Sequence, residues 1–558
     1  MCGIAGISSL DGKDVSSDLR TMLRMMEHRG PDGVGIILGR KTIKTDSLDD
    51  VSIDGLSGRI GLGHVRLAIV GGLGWNQPLE DCRGGISVMH NGEVYNYQRL
   101  RKKLKGRHRF TTKTDSEVIP HLIEGYYEGD LAQAVSKAVK DIDGVYALAV
   151  FDGNSTVVAR DRLGVRQLYF GKNDKISAFA SEKKALWRIG LKNISRLPPG
   201  VVASIDNGVV KVVSRNPCQF NKPEITSTVK AIGSYAGALH EAILKRIKGV
   251  KKVGIIFSGG IDSVLIAQVA RNLGAEVTCY VSGLEGSGDI DYARHSAEDL
   301  GFKHQIRTLN EHDIEDILPK VIRAIEDRSS LQVEVAIPIF EAVRMAHEDG
   351  CRVVLTGQAA DELFAGYPWY QKIAEKEGYG QLHRRMLDDT ARLFKETLER
   401  EDKIAMWHSV EMRVPYLDLD VVAVATNIDP ALNLPPGDHL GKRIHREVAR
   451  FVGVPEKYAL RPKAAAQHGS GIHDAIRKVA MKNGFSEKLV DTYDYSADES
   501  LEEQLGSSQR YGYQYGGGDI WNTPDFVQMY LDYIAFKNGV EDPRLTGDLE
   551  EQLSALAK

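Results

Sequence analysis

No apolar run in this chain reaches the roughly 18 residues that a membrane-spanning helix needs, so a membrane protein is not expected. Charge of one sign is not in excess either. Lys and Arg number 72 against 76 Asp and Glu, a formal net charge of −4. That excludes nucleic-acid binding through bulk positive charge and leaves only local patches. Cysteine is scarce: Cys2, Cys82, Cys218, Cys279 and Cys351 are odd in number and scattered, with neither paired zinc spacing nor a disulfide framework. A reducing cytoplasm is the expected location. Gly, Ser and Asp break up the first dozen residues, so no secretory signal is expected there. What is present is an ordinary globular composition, 42% hydrophobic and 27% charged, over 558 residues. That length suggests two to four domains. The 56 glycines point to many tight turns.

The rhythm of the chain divides it. Short strand-like runs lie in residues 1–212, at Gly61 to Val70, Gly85 to His90 and Val145 to Phe151, with helical patterns near Asp18 to Met26 and Ser116 to Tyr127. This mixture predicts an α+β domain. Residues 213–228, with two prolines and little periodicity, read as a linker. From 229 to 495 strands and helices alternate: Lys230 to Ile247 helical, Val253 to Phe257 a strand, Val264 to Asn272 a helix, then strands at Ala275 to Val281, Lys303 to Thr308 and Arg352 to Leu355. Alternation of this kind predicts an α/β doubly wound parallel sheet, with a helical part beyond about 370. Residues 496–558 read as a C-terminal extension, and Gln509 to Gly518 as an aromatic surface loop.

The start Met1-Cys2-Gly3-Ile4-Ala5-Gly6 offers a nucleophile. Removal of Met1 would leave Cys2 with a free α-amine, whose pKa of about 7.7–8.0 lies near the roughly 8.5 of a thiol. The residue then carries its own base. Four segments accompany it: His28-Arg-Gly-Pro-Asp-Gly33, His64 to Val70, His90-Asn-Gly-Glu-Val-Tyr-Asn96 and Lys113-Thr-Asp-Ser-Glu117. Together they resemble the glutaminase domain of class II glutamine amidotransferases, an N-terminal-nucleophile hydrolase fold, along roughly residues 1–200. The resemblance implies that Cys2 attacks the side-chain amide of glutamine and forms a thioester. It implies that Asn91 and the backbone N–H of Gly92 hold the oxyanion. Arg66 would clamp the α-carboxylate, Glu93 and Asp115 would take the α-ammonium, and Leu67, Ile69 and Val70 would line the pocket. Arg29 and Asp32 are expected to brace the fold.

A second motif, Ser258-Gly259-Gly260-Ile261-Asp262-Ser263, follows a predicted strand and opens a predicted helix. Backbone N–H groups and a helix N-terminus suit phosphate there. It resembles the SGG-x-DS loop of ATP pyrophosphatases, and Thr356 to Tyr367 follows a further strand as in that family. The resemblance implies an ATP site at Phe257, Ser258, Gly259, Gly260, Asp262, Ser263, Ser282, Thr356 and Gly357, with Asp262 and Asp361 holding Mg²⁺. His408 to Asp418 resembles the VE-x-RVP-x-LD segment of asparagine synthetases. Arg461 to Gly471 resembles their lysine-bearing segment, so Lys463, with Lys403 as an alternative, would steady departing pyrophosphate. To about residue 495 the chain resembles glutamine-hydrolysing asparagine synthetases. That implies a ligase using glutamine, aspartate and ATP to give asparagine, glutamate, AMP and diphosphate through a β-aspartyl-AMP, with ammonia passing between two sites. No nucleic-acid or membrane partner is implied, and a homodimer is among the assemblies it allows.

One position departs from the pattern. Gln358 stands where these synthetases carry glutamate, and a neutral amide cannot act as a base. Either the base lies elsewhere, with Glu362 and Tyr367 nearby in sequence, or the family chemistry acts here on a different carboxylate. Two other classes fit less well. A tRNA-modifying pyrophosphatase would leave the glutaminase set unexplained, and a non-catalytic sensor is at odds with intact Cys2, Arg66 and Asp262.

Overall fold

The computed structural model describes residues 2–52, 56–461, 471–490, 526–540, 542 and 555. The chain forms two compact units. One holds Met1–Cys218 with Met406–Glu411, the other Gln219–Ala405 with Met412–Lys558.

The first unit stacks two sheets between helices. Its seven-stranded sheet runs in the order Ile194–Arg196, Tyr169–Lys172, Ile176–Ala180, Gly3–Ser9, Ile60–Val65, Val34–Leu38, Lys41–Thr45. The six-stranded sheet runs Val209–Arg215, Val201–Asp206, Thr156–Arg160, Gly144–Phe151, Ser87–Val94, Leu79–Glu80. Period-two alternation decides which way each residue faces. On Gly3–Ser9, Ile4 joins Met89, Ala147 and Ala149 in the core between the sheets, while Ala5 and Ile7 face Leu19, Met22 and Leu23 of the helix Ser16–Met25. The other sheet is covered by Tyr97–Leu104, Val118–Tyr126 and Leu131–Ala138 through Leu100, Leu122 and Val135. Gly6 must lack a side chain, since a Cβ there would lie 2.3 Å from the Phe179 ring. These four layers are the expected α+β arrangement.

The strand expected over Gly61 to Val70 ends at Val65. Beyond it Arg66 donates its N–H to Gly33 O at 2.8 Å, and the Asp32 carboxylate accepts from Ala68 N–H at 2.8 Å. The backbone is thereby pulled out of the sheet and across the loop that begins His28-Arg29. The strand Val209–Arg215 runs past residue 212, so the first unit extends to Cys218.

The second unit is built on a five-stranded sheet in the order Lys303–Leu309, Glu276–Leu284, Lys252–Ile256, Val353–Leu355, Glu411–Arg413. Lys252–Ile256 pairs in parallel with both its neighbours, and Glu276–Leu284 pairs in parallel with Lys303–Leu309. The chain winds outward from Lys252–Ile256 in one direction and returns on its other side at Val353–Leu355. Strand order therefore reverses between these two, and the carboxyl ends of both open into the crevice where doubly wound sheets bind ligands. Within the stretch expected to be an extension, the helix Phe526–Lys537 is packed into this unit, with Asp532 paired to buried Arg328 at 2.5 Å. The Gln509 to Gly518 stretch lies outside the described residues. Among the described residues no helix is long and apolar enough to cross a membrane.

Candidate active sites

Cys2 directly precedes Gly3–Ser9, the central strand of the seven-stranded sheet, and is buried. Its N–H donates to Asn91 Oδ1 at 3.1 Å, and its carbonyl accepts from Arg29 Nε at 3.1 Å. Arg29 is wholly buried and also binds Glu182 at 2.8 Å, so it braces the backbone of Cys2. Burial pushes the Cys2 thiol up, while the amino terminus and Arg66 pull it back down. A protonated thiol at neutral pH needs a base, and the nitrogen that would become its own amine lies on the same residue.

Asn91 turns its oxygen to Cys2, which leaves Nδ2 buried without a hydrogen-bond partner among the described residues. An unused buried donor costs stability unless something arrives to accept from it. Gly92 follows in the same strand, and a Cβ there would lie 2.0 Å from Val145 O, so only glycine fits. Arg66 is similar. Its Nη2 donates to Gly72 O at 2.7 Å, whereas Nη1 is buried with no hydrogen-bond partner among the described residues. Asp115 accepts from Val94 N–H at 2.8 Å, and both it and Glu93 are buried. Leu67 and Ile69 pack on Met406, while Val70 is only half-buried. Met406 was not foreseen, because it lies more than 300 residues away in sequence and no motif marks it. In the same segment Trp407 packs its ring on His28, and Ser409 donates to His28 O at 2.6 Å.

The strand bearing Asn91 is locked by His90. Its N–H donates to Gln77 Oε1 at 2.6 Å, its Nδ1 meets Ser116 Oγ at 2.8 Å, and its carbonyl accepts from His64 Nε2 at 3.3 Å. Burial lowers both His64 and His90 to about 3. Both titrate near 6.5 once unfolded, so folding stability is full above that pH and is lost as pH falls toward 3. At pH 5 the loss is about 2 kcal/mol for each. The expected result is a thermal midpoint that falls from pH 7 to pH 5 with proton uptake on unfolding. A midpoint flat over that range would contradict it.

In the second unit the loop Ser258–Gly260 leaves the strand Lys252–Ile256 and enters the helix Ile261–Asn272. Ser258 Oγ accepts from Gly260 N–H at 3.2 Å, and Ser263 Oγ donates to Gly260 O at 3.1 Å. Gly259 has φ +69°, and a Cβ there would lie 2.6 Å from Ser296 Oγ, so both turn and packing demand glycine. Among the described residues no side chain caps the helix start, which leaves its first N–H groups for an anion. Phe257 and Thr356 are buried behind the loop, and Ser282 Oγ is buried without a hydrogen-bond partner among the described residues. Gly357 presses against this turn: its Cβ would come 2.9 Å from that of Asp262. The two segments singled out by sequence thus meet.

Asp262 and Asp361 converge on one cation, the ammonium of Lys442, at 2.8 Å and 2.7 Å. His445 Nε2 lies 3.2 Å from Asp262. Burial pushes the Asp262 carboxyl up, but Lys442 and His445 outweigh it and hold it well below the usual range. Two hard carboxylates around a cation fit the expected Mg²⁺ donor set. Lys442 escaped sequence reading because it stands 180 residues from Asp262 in a segment without a motif. The His408 to Asp418 segment supports this cluster: Tyr416 OH donates to Asp262 O at 2.7 Å, and Asp418 binds Arg246 at 2.6 Å.

Gln358 has a carboxylate partner that sequence did not supply. Its Nε2 donates to Glu401 Oε1 at 3.2 Å, and Arg400 donates to the same oxygen at 3.0 Å. Glu401 Oε2 is buried with no hydrogen-bond partner among the described residues. Burial raises the Glu401 carboxyl, against the pull of Arg400 and Gln358. Glu362 accepts from Tyr367 OH at 2.5 Å, and burial raises that phenol well above its ordinary range. Lys403 is wholly buried against Glu399 and Glu326, each at 2.7 Å, and Ile325 O at 3.1 Å, so its ammonium is engaged in the scaffold. Lys463 lies outside the described residues.

Two family models match the chain. One, described as a glutamine amidotransferase domain, covers residues 1–213, and the other, described as asparagine synthase, covers 234–381 and 372–524. A Methanocaldococcus jannaschii relative assigned as a glutamine-hydrolysing asparagine synthetase is 36% identical over 543 residues, 88% of this chain and 98% of that one. Asparagine synthetase 1 of Arabidopsis thaliana is 30% identical over 553 residues, 96% and 86% of the two chains. Among solved structures, a glutamine phosphoribosylpyrophosphate amidotransferase from B. subtilis aligns over 55% of this chain and 65% of that one, at 22% identity and a TM-score of 0.36.

Proposed function

This chain belongs to the glutamine-hydrolysing asparagine synthetase family, and from that premise we propose that it converts aspartate, glutamine and ATP to asparagine, glutamate, AMP and diphosphate. The reading is carried by one juxtaposition: unused buried donors beside Cys2, and in the same chain an SGG loop whose Asp262 shares a cation with Asp361.

In this reading Met1 is removed and the amine of Cys2 takes the thiol proton. The thiolate attacks the glutamine side-chain carbonyl. Asn91 Nδ2 and Gly92 N–H stabilise the oxyanion, and Arg66 Nη1 pairs the substrate carboxylate. Glu93 and Asp115 face its ammonium. Ammonia leaves, and water hydrolyses the thioester to glutamate. In the second unit the β-carboxylate of aspartate attacks the α-phosphorus of ATP, diphosphate departs, and ammonia displaces AMP from the acyl adenylate. Asp262 and Asp361 would hold Mg²⁺, which when bound offsets triphosphate charge. Lys463 would steady the leaving diphosphate.

Glu401 answers the question that Gln358 raises. Ammonia attacking an acyl carbon must shed a proton, and the free Oε2 of Glu401 is the acceptor we assign. Its raised affinity for a proton brings it nearer the working pH. Gln358 holds that carboxylate in place, so a different acceptor substrate is not needed to account for the missing glutamate. The cytoplasm is the compartment we assign, because its reducing conditions keep Cys2 a thiol.

The test is product analysis by mass spectrometry with glutamine, ATP, Mg²⁺ and a panel of carboxylic amino acids. Asparagine and AMP in equal yield, with aspartate preferred, is the expected outcome. AMP release without amino-acid preference would overturn the reading. A second expected result separates the sites. Asp262→Asn or Asp361→Asn lowers AMP formation by about 10²-fold or more and leaves glutamine hydrolysis intact; near-normal adenylation would show these acids to be scaffolding.

A further inference from the structure

A cluster in the first unit takes no part in the chemistry above. Cys82 lies in the turn between the strands Leu79–Glu80 and Ser87–Val94, and His108 in the loop after the helix Tyr97–Leu104. His121 and Glu124 stand one turn apart on the helix Val118–Tyr126, on the same face. One ligand atom from each of the four lies within 4.8 Å of every other. Cys82 Sγ is 3.7 Å from His108 Nδ1 and 3.6 Å from His121 Nδ1. Glu124 Oε2 is 2.9 Å from His108 Nδ1 and 3.8 Å from His121 Nδ1.

We propose that Cys82, His108, His121 and Glu124 form a tetrahedral Zn²⁺ site in the glutaminase unit. Zinc takes thiolate at about 2.3 Å and imidazole at about 2.0–2.1 Å, and a tetrahedron with those bonds puts sulfur about 3.6 Å from nitrogen. Both observed S···N distances match. The same bond lengths place carboxylate oxygen about 3.3 Å from nitrogen, midway between the two observed O···N distances. One thiolate, one carboxylate and two neutral imidazoles leave a Zn²⁺ site uncharged, which suits a half-buried position. The N–H of Arg109 points at Cys82 Sγ from 3.4 Å, a donor that favours the thiolate. The set combines a soft thiolate, two borderline imidazoles and one hard carboxylate on four corners, which favours zinc over Mg²⁺ or Ca²⁺. Sequence spacing hides it, because no two of its members form a C-x-x-C or H-x-x-x-H pair. The inference is independent of which carboxylate the synthetase unit uses.

Such a site would be structural. It ties the turn leading into the Asn91 strand, and the loop leading to Asp115, to a single helix. The bland alternative is a His108–Glu124 hydrogen bond with a cysteine beside it, and metal analysis separates the two.

The full chain, made without a polyhistidine tag, is dialysed against equimolar ZnCl₂ and its metal content measured by mass spectrometry. One equivalent of zinc is expected. Cys82 is exposed, so Cys82→Ser should keep the fold, checked by circular dichroism, and weaken zinc binding by at least roughly tenfold, the least that loss of even an outer-shell partner costs. In a Cys2→Ala background, Co²⁺ loading should give a thiolate-to-cobalt charge-transfer band that Cys82→Ser removes and Cys218→Ser keeps. Chelation should lower the thermal midpoint of the wild type and not that of Cys82→Ser. No zinc retained by the wild type, or zinc and cobalt signals unchanged in Cys82→Ser, would overturn the site.

Discussion

Cys2→Ala is expected to lose glutamine-dependent amide synthesis by on the order of 10⁴-fold or more while synthesis from free ammonium salts stays close to wild type. The reason is architectural. Cys2, Asn91 and Arg66 belong to one compact unit, and Asp262, Asp361 and Lys442 to the other. In the proposed reading, removing the thiol ends ammonia release and leaves the residues of the Asp262 cluster unchanged. The comparison is best made on the same preparation, with glutamine and with ammonium chloride, reading AMP and amide together. Loss of both activities in a folded protein would mean that Cys2 supports more than glutamine hydrolysis. Retention of the glutamine-dependent reaction would remove Cys2 from the mechanism.

The second large effect is expected at Glu401. Glu401→Gln keeps the volume and the hydrogen bond from Gln358 but removes the proton acceptor. Amide formation from either nitrogen source should fall by about 10²–10⁴-fold, while exchange of labelled diphosphate into ATP, which reports adenylation alone, persists. Restoring a carboxylate across the same hydrogen bond tests the assignment more sharply. Gln358→Glu in the Glu401→Gln background should recover part of the lost rate. In wild type the same Gln358→Glu sets a second carboxylate 3.2 Å from the first, which raises the proton affinity of the pair and moves the pH profile toward higher pH. Full activity of Glu401→Gln would place the base elsewhere, with Glu362 and Tyr367 next in line.

The residues proposed for the glutamine site could be picked out from the sequence because they come in short motifs whose chemistry is local. Cys2, Arg66, Asn91, Gly92, Glu93 and Asp115 all lie in one unit, where Arg29 holds the Cys2 carbonyl and Asp32 the Ala68 N–H. The strand and loop at Lys252 to Ser263 were legible for a similar reason: an apolar run, a glycine turn and a helix start are neighbours in sequence. What escaped reading was tertiary. Lys442, Glu401 and Met406 carry no motif of their own and reach their partners only after long excursions of chain. The overextended strand at Gly61 to Val70 failed differently. Its apolar residues continue past Val65, but Asp32 captures the N–H of Ala68 and turns the backbone away. The proposed zinc ligands are the extreme case, four residues on three segments of which only His121 and Glu124 share a helical spacing.

The central claim is that nitrogen taken from glutamine at Cys2 becomes the amide of asparagine made at the Asp262 cluster. It is tested most directly by supplying glutamine labelled with ¹⁵N in its side-chain amide, together with aspartate, ATP, Mg²⁺ and an excess of unlabelled ammonium. Asparagine heavier by one mass unit, formed in step with AMP and little diluted by the unlabelled pool, is the predicted result. Asparagine carrying the isotope ratio of bulk ammonium, or labelled ammonia accumulating with no asparagine at all, would contradict the account.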